Sequence, residues 1–429
     1  MQKRAKAGSR QFPGIILLIL LYAVPAFPYS VLTHEEIVDL LWADAIRPNL
    51  LARFPSLTED QLREAHAYAY GGSVIQDLGY YPFGNKEFSN LAHYVRSGDF
   101  VRELLQQSQD ANEYAFAMGA LAHYTSDISG HPAVNRVVAL QYPKLRQKFG
   151  DSVTFAQNKT AHLKTEFSFD VVQVAKHHYV SEDFHNFIGF EVSKSLLERA
   201  FPVVYGRKLD DVLPQLDTTI RTYRYAVSEF IPEVTKVAVG MHKTNLTPAN
   251  GTPAQQLFLY NLSRTEFEKE WGTNYYKPKF FYRLLGAIVK LIPKIGPLKT
   301  LVFRQPTPQT EELYVRSINT TVERYRSYLQ QIKQTNAVKF PNLDLDTGNP
   351  VSPGECSLAD ATYLDLLSDL AKDHFQQAPS SLRDDILRFF STYQPSTKKH
   401  SDRKQWEKTQ NSLDQLRSLV PKASLLARP

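Results

Sequence analysis

Nine of the twelve histidines of this 429-residue chain lie between His34 and His185, so whatever chemistry imidazole supports is concentrated in one portion. His123 and Asp127 stand four residues apart in a stretch, Ala111 to Ile128, of helical periodicity. Side chains at that spacing emerge from one helix face and can grip one metal ion. His131 follows four residues later, just before Pro132. Proline disfavours helical backbone at the residue preceding it, so His131 is expected on an exit turn, aimed at a neighbouring ion. His162 and Glu166 repeat the spacing on another expected helix, Thr160 to Ala175. Imidazole and carboxylate without thiolate suit zinc. With His34, Asp77 and His93 the donors number eight, more than one tetrahedral site uses. A bridging carboxylate would let them hold a cluster of two or three Zn2+ ions. The competing reading of any single pair is a core histidine satisfied by a capping acid.

These residues must be positioned by helices, because the apolar periodicity is helical almost throughout and no run alternates as a strand would. Thr33 and Glu36 read as a capping box opening a helix that continues through Ile37, Leu40, Leu41 and Ile46. Further faces span Leu57 to Tyr70, Asp99 to Gln107, Glu182 to Ala200 and Leu213 to His242. Gly71–Gly72 and Tyr80-Tyr81-Pro82-Phe83-Gly84-Asn85 read as loops, and Pro248, Asn250, Gly251 and Pro253 as a boundary. The expected class is all-α: a catalytic domain over residues 27–245, a helical carboxy-terminal region over 255–393, and a basic polar tail over 394–429.

Residues 1–26 read as a secretory signal. Lys3, Arg4, Lys6 and Arg10 precede an apolar run from Ile15 to Val24, with Val24 and Ala26 as small residues at the cleavage site. The run is too short to span a bilayer. An exported protein, secreted or periplasmic, is therefore expected, soluble or peripheral on a membrane, with no cysteine placed for lipid attachment. The net charge of +6 falls to +2 without the four basic residues of the leader. Seven basic residues and no acid fall between Lys277 and Arg304, away from the histidines, so a stable nucleic-acid complex is not expected. No protein partner is implied. Hydrophobic residues at 43% and charged residues at 22% suit a globular core and exclude a disordered chain. The single Cys356 has no metal-binding neighbours and no disulfide partner.

The order His34, Asp77, His93, His123-x3-Asp127-x3-His131 and His162-x3-Glu166 resembles the zinc-dependent phospholipase C superfamily, which includes the single-strand-specific fungal nucleases. The run Ala120-Leu121-Ala122-His123-Tyr124-Thr125-Ser126-Asp127-Ile128-Ser129-Gly130-His131 is most similar to the amino-terminal domain of glycosylphosphatidylinositol-specific phospholipase D. The resemblance covers about residues 29–200 and implies helices converging on three zinc ions. It implies Asp77, His93, His123 and Asp127 around one ion, His131, His162 and Glu166 around a second, and Asp127 bridging to a third. That third ion would be held by His34 and by the mature first residue, for which Tyr29 stands at the matching distance; cleavage after Ala26 would instead leave Phe27 first. The resemblance also implies hydrolysis of a phosphodiester by a metal-activated water, with Asp77 as base and Glu166 as the competing candidate.

Substrate choice rests on less specific features. Tyr80, Tyr81 and Phe83 follow Asp77 and suit acyl chains, a stacked base, or simple packing. Tyr275 to Ile292, aromatic and basic and then apolar, with Lys294 beyond, reads as an interfacial segment docking on phospholipid or a membrane surface, or as a buried helix with snorkelling lysines. His66, His177, His178 and His185 are expected behind the ligands or on the surface. The leading expectation is phospholipid hydrolysis of the C type, with D-type cleavage open. The alternatives are a single-strand-specific nuclease and a non-catalytic lipid-binding protein stapled by zinc.

Overall fold

The computed structural model describes residues 31–176, 178–179, 182–242, 303–335, 338–395 and 400–419. Tyr29 and the leader, His177, the segment from Tyr275 to Lys294, and Lys398 and Lys399 lie outside the described residues. The protein is helical as expected. Among the described residues no sheet forms, and the one extended pairing is an isolated bridge between Leu343 and Pro350.

The helices, in chain order, are α1 (Val31–Leu41), α2 (Arg47–Arg53), α3 (Glu59–Gly72), α4 (Lys86–Tyr94), α5 (Ser97–Gln107), α6 (Ala111–Gln141) and α7 (Pro143–Phe149). They continue with α8 (Lys159–Ala175), α9 (Glu182–Ile188), α10 (Lys194–Tyr205), α11 (Leu209–Val212), α12 (Leu216–Tyr225) and α13 (Ile231–His242). After the undescribed stretch come α14 (Pro308–Gln334), α15 (Ser357–Lys372), α16 (Ser380–Thr392) and α17 (His400–Ser418). A π-turn joins α1 to α2, a 3-10 turn, Ile75–Tyr80, carries Asp77, and a second π-turn joins α12 to α13.

The axis of the fold is α6, buried along most of its 31 residues. A helix apolar around its whole circumference belongs in the middle of a packed protein, and α3 and α14 lie against it with α1, α5 and α8 around them. One apolar core runs from Val31 to Leu416, so the carboxy-terminal helices share the core of the histidine-bearing portion.

Several local expectations are corrected. Gly71 and Gly72 end α3 rather than forming a loop, and the reason is close packing on two sides. A Cβ on Gly71 would lie 1.6 Å from the Glu191 carbonyl oxygen, and one on Gly72 would lie 2.0 Å from that of Phe116. Gly119 of α6 answers from the other side, 2.0 Å by the same measure from the Ala69 carbonyl oxygen. Nor does Pro132 end α6, so His131 sits on the same continuous helix as His123 and Asp127. Proline inside a helix costs about 3 kcal/mol or more, and burial of α6 between its neighbours offsets that. Thr33 does not cap a helix: it lies inside α1, and its hydroxyl meets Asp170 at 2.8 Å, Tyr179 at 2.7 Å and Tyr314 at 2.5 Å. The expected helix from Glu182 to Ala200 is divided at Gly189, whose φ is +89°, and that from Leu213 to His242 is interrupted by its π-turn.

Candidate metal centre

Five structural elements deliver the eight described donors to one place. His34 comes from α1, Asp77 from the 3-10 turn, His93 from the end of α4, three from α6, and His162 and Glu166 from α8. All eight are buried. The three on α6 recur every fourth residue, so one rigid helix spaces them over about 12 Å.

Asp127 is the hub. Its Oδ2 lies 3.0 Å from His123 Nε2 and 3.5 Å from His93 Nε2, and its Oδ1 lies 3.6 Å from His34 Nε2 and 3.8 Å from His131 Nε2. His93 Nε2 is also 3.4 Å from Asp77 Oδ1. On the far side, Glu166 Oε1 is 2.9 Å from His162 Nδ1 and 3.5 Å from His131 Nε2. Two sets, His34 with His123 and Asp127, and Asp77 with His93 and His123, have ligand atoms all within 4.8 Å of one another. The rings of His34 and His123 stack at 4.4 Å.

Close as some of these contacts are, several of the atoms lack hydrogen-bond geometry. Both oxygens of Asp77 and of Asp127, His93 Nε2, His123 Nε2 and His162 Nδ1 are buried and make no hydrogen bond of proper geometry. Buried polar atoms are rarely left so, since each costs roughly 1–3 kcal/mol. Here those of Asp77, Asp127, His93 and His123 gather in the two sets whose atoms lie within 4.8 Å of one another, as ligand atoms around cations do. The outward nitrogens are tied: His93 Nδ1 donates to the Ser89 carbonyl at 2.7 Å, His123 Nδ1 to that of Ser73 at 3.0 Å, and His131 Nδ1 to that of Leu345 at 2.7 Å. His162 is turned the other way, with Nε2 at 2.9 Å from Asn135 Oδ1. An imidazole that donates through one nitrogen presents a lone pair on the other, which is how a histidine ligand is held. The donor set therefore fits zinc.

Protonation follows the same geometry. Burial, reinforced by the Asp127 charge, pushes the Asp77 carboxyl well above the usual range. Burial would raise Asp127 too, but His123 and His131 outweigh it and hold that carboxyl well below its usual value. Burial opposes a proton on His131, yet Asp127 and Glu166 lift it to about 10. In His123 burial wins, and its pKa is lowered. A cation held by these donors would take over the role those protons play in compensating the buried carboxylates.

Two aromatic rings and a lysine flank the centre. Tyr80 lies with its ring 6.1 Å from that of His93, and Phe155 lies 5.8 Å from His162. Lys159 Nζ stands between them, 5.8 Å from the Tyr80 ring and 5.2 Å from that of Phe155. Tyr81, by contrast, is buried against Tyr223, and Phe83 is exposed. His178 bonds Gln173 away from the ligands, and His66 and His185 join a separate cluster with Asp39. Cys356 is buried and free.

Sequence reasoning missed Asn135, Leu345 and Asp346. Asn135 had a signal: it continues the series 123, 127, 131 by one more helical turn. Leu345 acts through its backbone carbonyl, which no residue type announces. In the same way Asp170 extends the series 162, 166 and accepts from the Leu32 amide at 3.2 Å.

A helical domain thus gathers buried imidazoles and carboxylates that could hold a metal ion. Residues 33–210 match the family model described as zinc dependent phospholipase C. The match spans less than half of the chain and contains all eight described donors. No curated protein and no solved structure matches the chain.

Proposed function

We propose that the protein is an exported zinc-dependent phosphodiester hydrolase that acts on phospholipids, by phospholipase C-type cleavage with the D-type outcome distinguished by its products. The observation that carries this reading is the convergence of eight buried histidine and carboxylate side chains, inside the segment matched to zinc dependent phospholipase C. Zinc bound there supplies Lewis acidity toward the phosphoryl oxygens and acidifies a water to near neutral pH. Asp127 draws the donor groups together, with Asp77, His93 and His123 on one side, His131, His162 and Glu166 on the other, and His34 with the mature first residue on a third. Asp77, ionised once a bound cation compensates its burial, would orient the attacking water or accept its proton, and Glu166 is the competing base. No side-chain nucleophile is required. Lys159, with the faces of Tyr80 and Phe155, suits a substrate that combines negative charge with apolar groups. Among the described residues no helix is long and apolar enough to cross a membrane. Attachment to a membrane surface is proposed through Tyr275 to Lys294.

The test is zinc stoichiometry on purified protein beside hydrolysis of phosphatidylcholine, phosphatidylinositol and single-stranded DNA, for wild type and His123→Ala. Two or three zincs with lipid turnover that the substitution abolishes is the expected result. Diacylglycerol as product marks C-type cleavage and phosphatidic acid D-type. Turnover of DNA alone replaces the reading with a nuclease, and bound zinc without turnover with a zinc-stapled lipid-binding protein.

A further inference from the structure

The segment from Asn342 to Pro350 lies more than 130 residues beyond the end of the matched segment, yet it touches the metal centre. We propose that this strap is a positioning element of the centre: with Asn135 as relay, it fixes the ring orientation and tautomer of both His131 and His162. The centre is then completed by chain outside the matched domain. This rests on the zinc reading of the site but not on the identity of the substrate.

The first contact is direct. The Leu345 carbonyl accepts from His131 Nδ1 at 2.7 Å, and a carbonyl can only accept. The proton of a neutral His131 is thereby placed on Nδ1, which leaves Nε2 as the donor atom beside Asp127 and Glu166.

The second contact runs through Asn135. Its Nδ2 donates to the Asp346 carbonyl at 2.8 Å, which settles the amide orientation and turns Oδ1 toward His162 Nε2 at 2.9 Å. That oxygen accepts, so His162 carries its proton on Nε2 and presents Nδ1, 2.9 Å from Glu166 Oε1. Two adjacent carbonyls of one strap thus impose opposite tautomers on two histidines, and opposite tautomers are what their opposite ring orientations require.

The strap is itself held in register. The Leu345 amide donates to the His93 carbonyl at 3.1 Å, and Tyr94 donates through its hydroxyl to Asp346 Oδ2 at 2.6 Å. The Asp346 amide donates to Asp344 Oδ1 at 2.8 Å and the Gly348 amide to the Asp344 carbonyl at 2.8 Å. Gly348 has φ +70°, and a Cβ there would stand 2.5 Å from the Ile128 carbonyl oxygen. Ile128 is the residue whose helical donor Pro132 lacks, four positions on. The strap therefore docks where proline has opened the backbone of α6, and glycine alone allows so close an approach. His93 and His123, by comparison, are tied to Ser89 and Ser73 within the matched segment. The strap's hydrogen bonds to ligand rings, direct or through Asn135, fall on the half of the centre formed by His131 and His162, while it meets His93 through the backbone.

The experiment uses the full chain as Asn135→Leu and as Gly348→Ala, with zinc affinities measured by chelator competition and the visible spectrum recorded after cobalt substitution. The expected result is about a 10–100-fold loss of affinity for one ion, the scale of losing an outer partner of a ligand. The remaining ions should keep wild-type affinity, and one component of the cobalt spectrum should change. Tyr94→Phe, which removes a single hydrogen bond behind the strap, should move the same ion in the same sense by less, and it keeps the test available if the stronger variants do not fold. Unchanged affinities in the folded variants would overturn the proposal. So would a uniform loss of all ions that follows the melting temperature of the metal-free protein, because that is the behaviour of general scaffolding. A protein that binds zinc as expected but cleaves no phospholipid would remove the proposed activity and leave the strap standing.

Discussion

Among the described residues two buried clusters of histidine and carboxylate are built on different principles. Around Asp127, His93, His123, His131 and His162 each spend one nitrogen on a carbonyl or amide oxygen behind the ring and turn the other toward the carboxylates, and the inner nitrogens of His93, His123 and His162 lack hydrogen-bond geometry. Around Asp39, the groups satisfy one another. His66 Nε2 lies 3.1 Å from Asp39 Oδ1, Tyr70 donates to the same oxygen at 2.5 Å, and His185 places Nε2 3.2 Å from Asp39 Oδ2 and Nδ1 3.2 Å from Glu35 Oε2. His66 also stacks on Trp42 at 3.8 Å. Both nitrogens of His185 end on carboxylates, so it has no lone pair for an ion. Residue composition does not separate the two clusters; what stands behind each ring does.

The largest difference should come from neutralising the two hub aspartates in turn. Asp127→Asn is expected to strip zinc and to lower hydrolysis by about 10³-fold or more, the scale of removing a principal electrostatic contributor. Asp39→Asn is expected to keep the zinc, while stability falls by about 3–5 kcal/mol because His185 loses a buried partner. Elemental analysis and denaturant titration on both proteins check this, and zinc loss from Asp39→Asn would erase the distinction.

A smaller effect should follow from Gly119→Ala, which presses a methyl group onto the Ala69 carbonyl. Overpacking of this kind costs about 1–3 kcal/mol, or more against backbone. Because the same crossing places the Ser73 carbonyl on His123, zinc affinity should fall together with stability, whereas the Asp39 cluster should keep its pH response.

The smallest effect is that pH response. Burial would lower the His185 pKa, but Glu35 and Asp39 raise it from 6.5 to about 9. A group raised on folding contributes stability that is complete below pH 6.5 and is lost as pH climbs through 9. The Glu35 carboxyl, raised to about 7 chiefly by burial, acts in the same direction at lower pH. Between pH 7 and 10 the wild-type melting temperature should therefore drop by a few degrees, and His185→Gln should flatten that slope.

The clustering of donors around Asp127 was legible in the sequence because helical geometry converts a four-residue spacing into a shared face. That local rule brought out His123 with Asp127 and His162 with Glu166. It failed at Pro132, where the sequence marks a helix end that the packing of α3 and α14 overrides. It failed at Gly71–Gly72 as well, because glycine signals a turn by its freedom and a close crossing by its small size, and only the partner backbone tells which. The Asp39 cluster joins residues 146 positions apart, and no local pattern links His185 to Asp39. The strap was hidden for another reason: its work is done by the carbonyls of Leu345 and Asp346, atoms that every residue possesses.

The distance along the chain between His131 and Leu345 also sets an order of events during synthesis. When a ribosome has completed residue 210, every donor in the matched segment exists, but the oxygen that orients His131 does not. That oxygen is added 214 residues after the ring it serves. The growing chain therefore passes through a long interval in which its histidines are present and the oxygen that orients His131 is not.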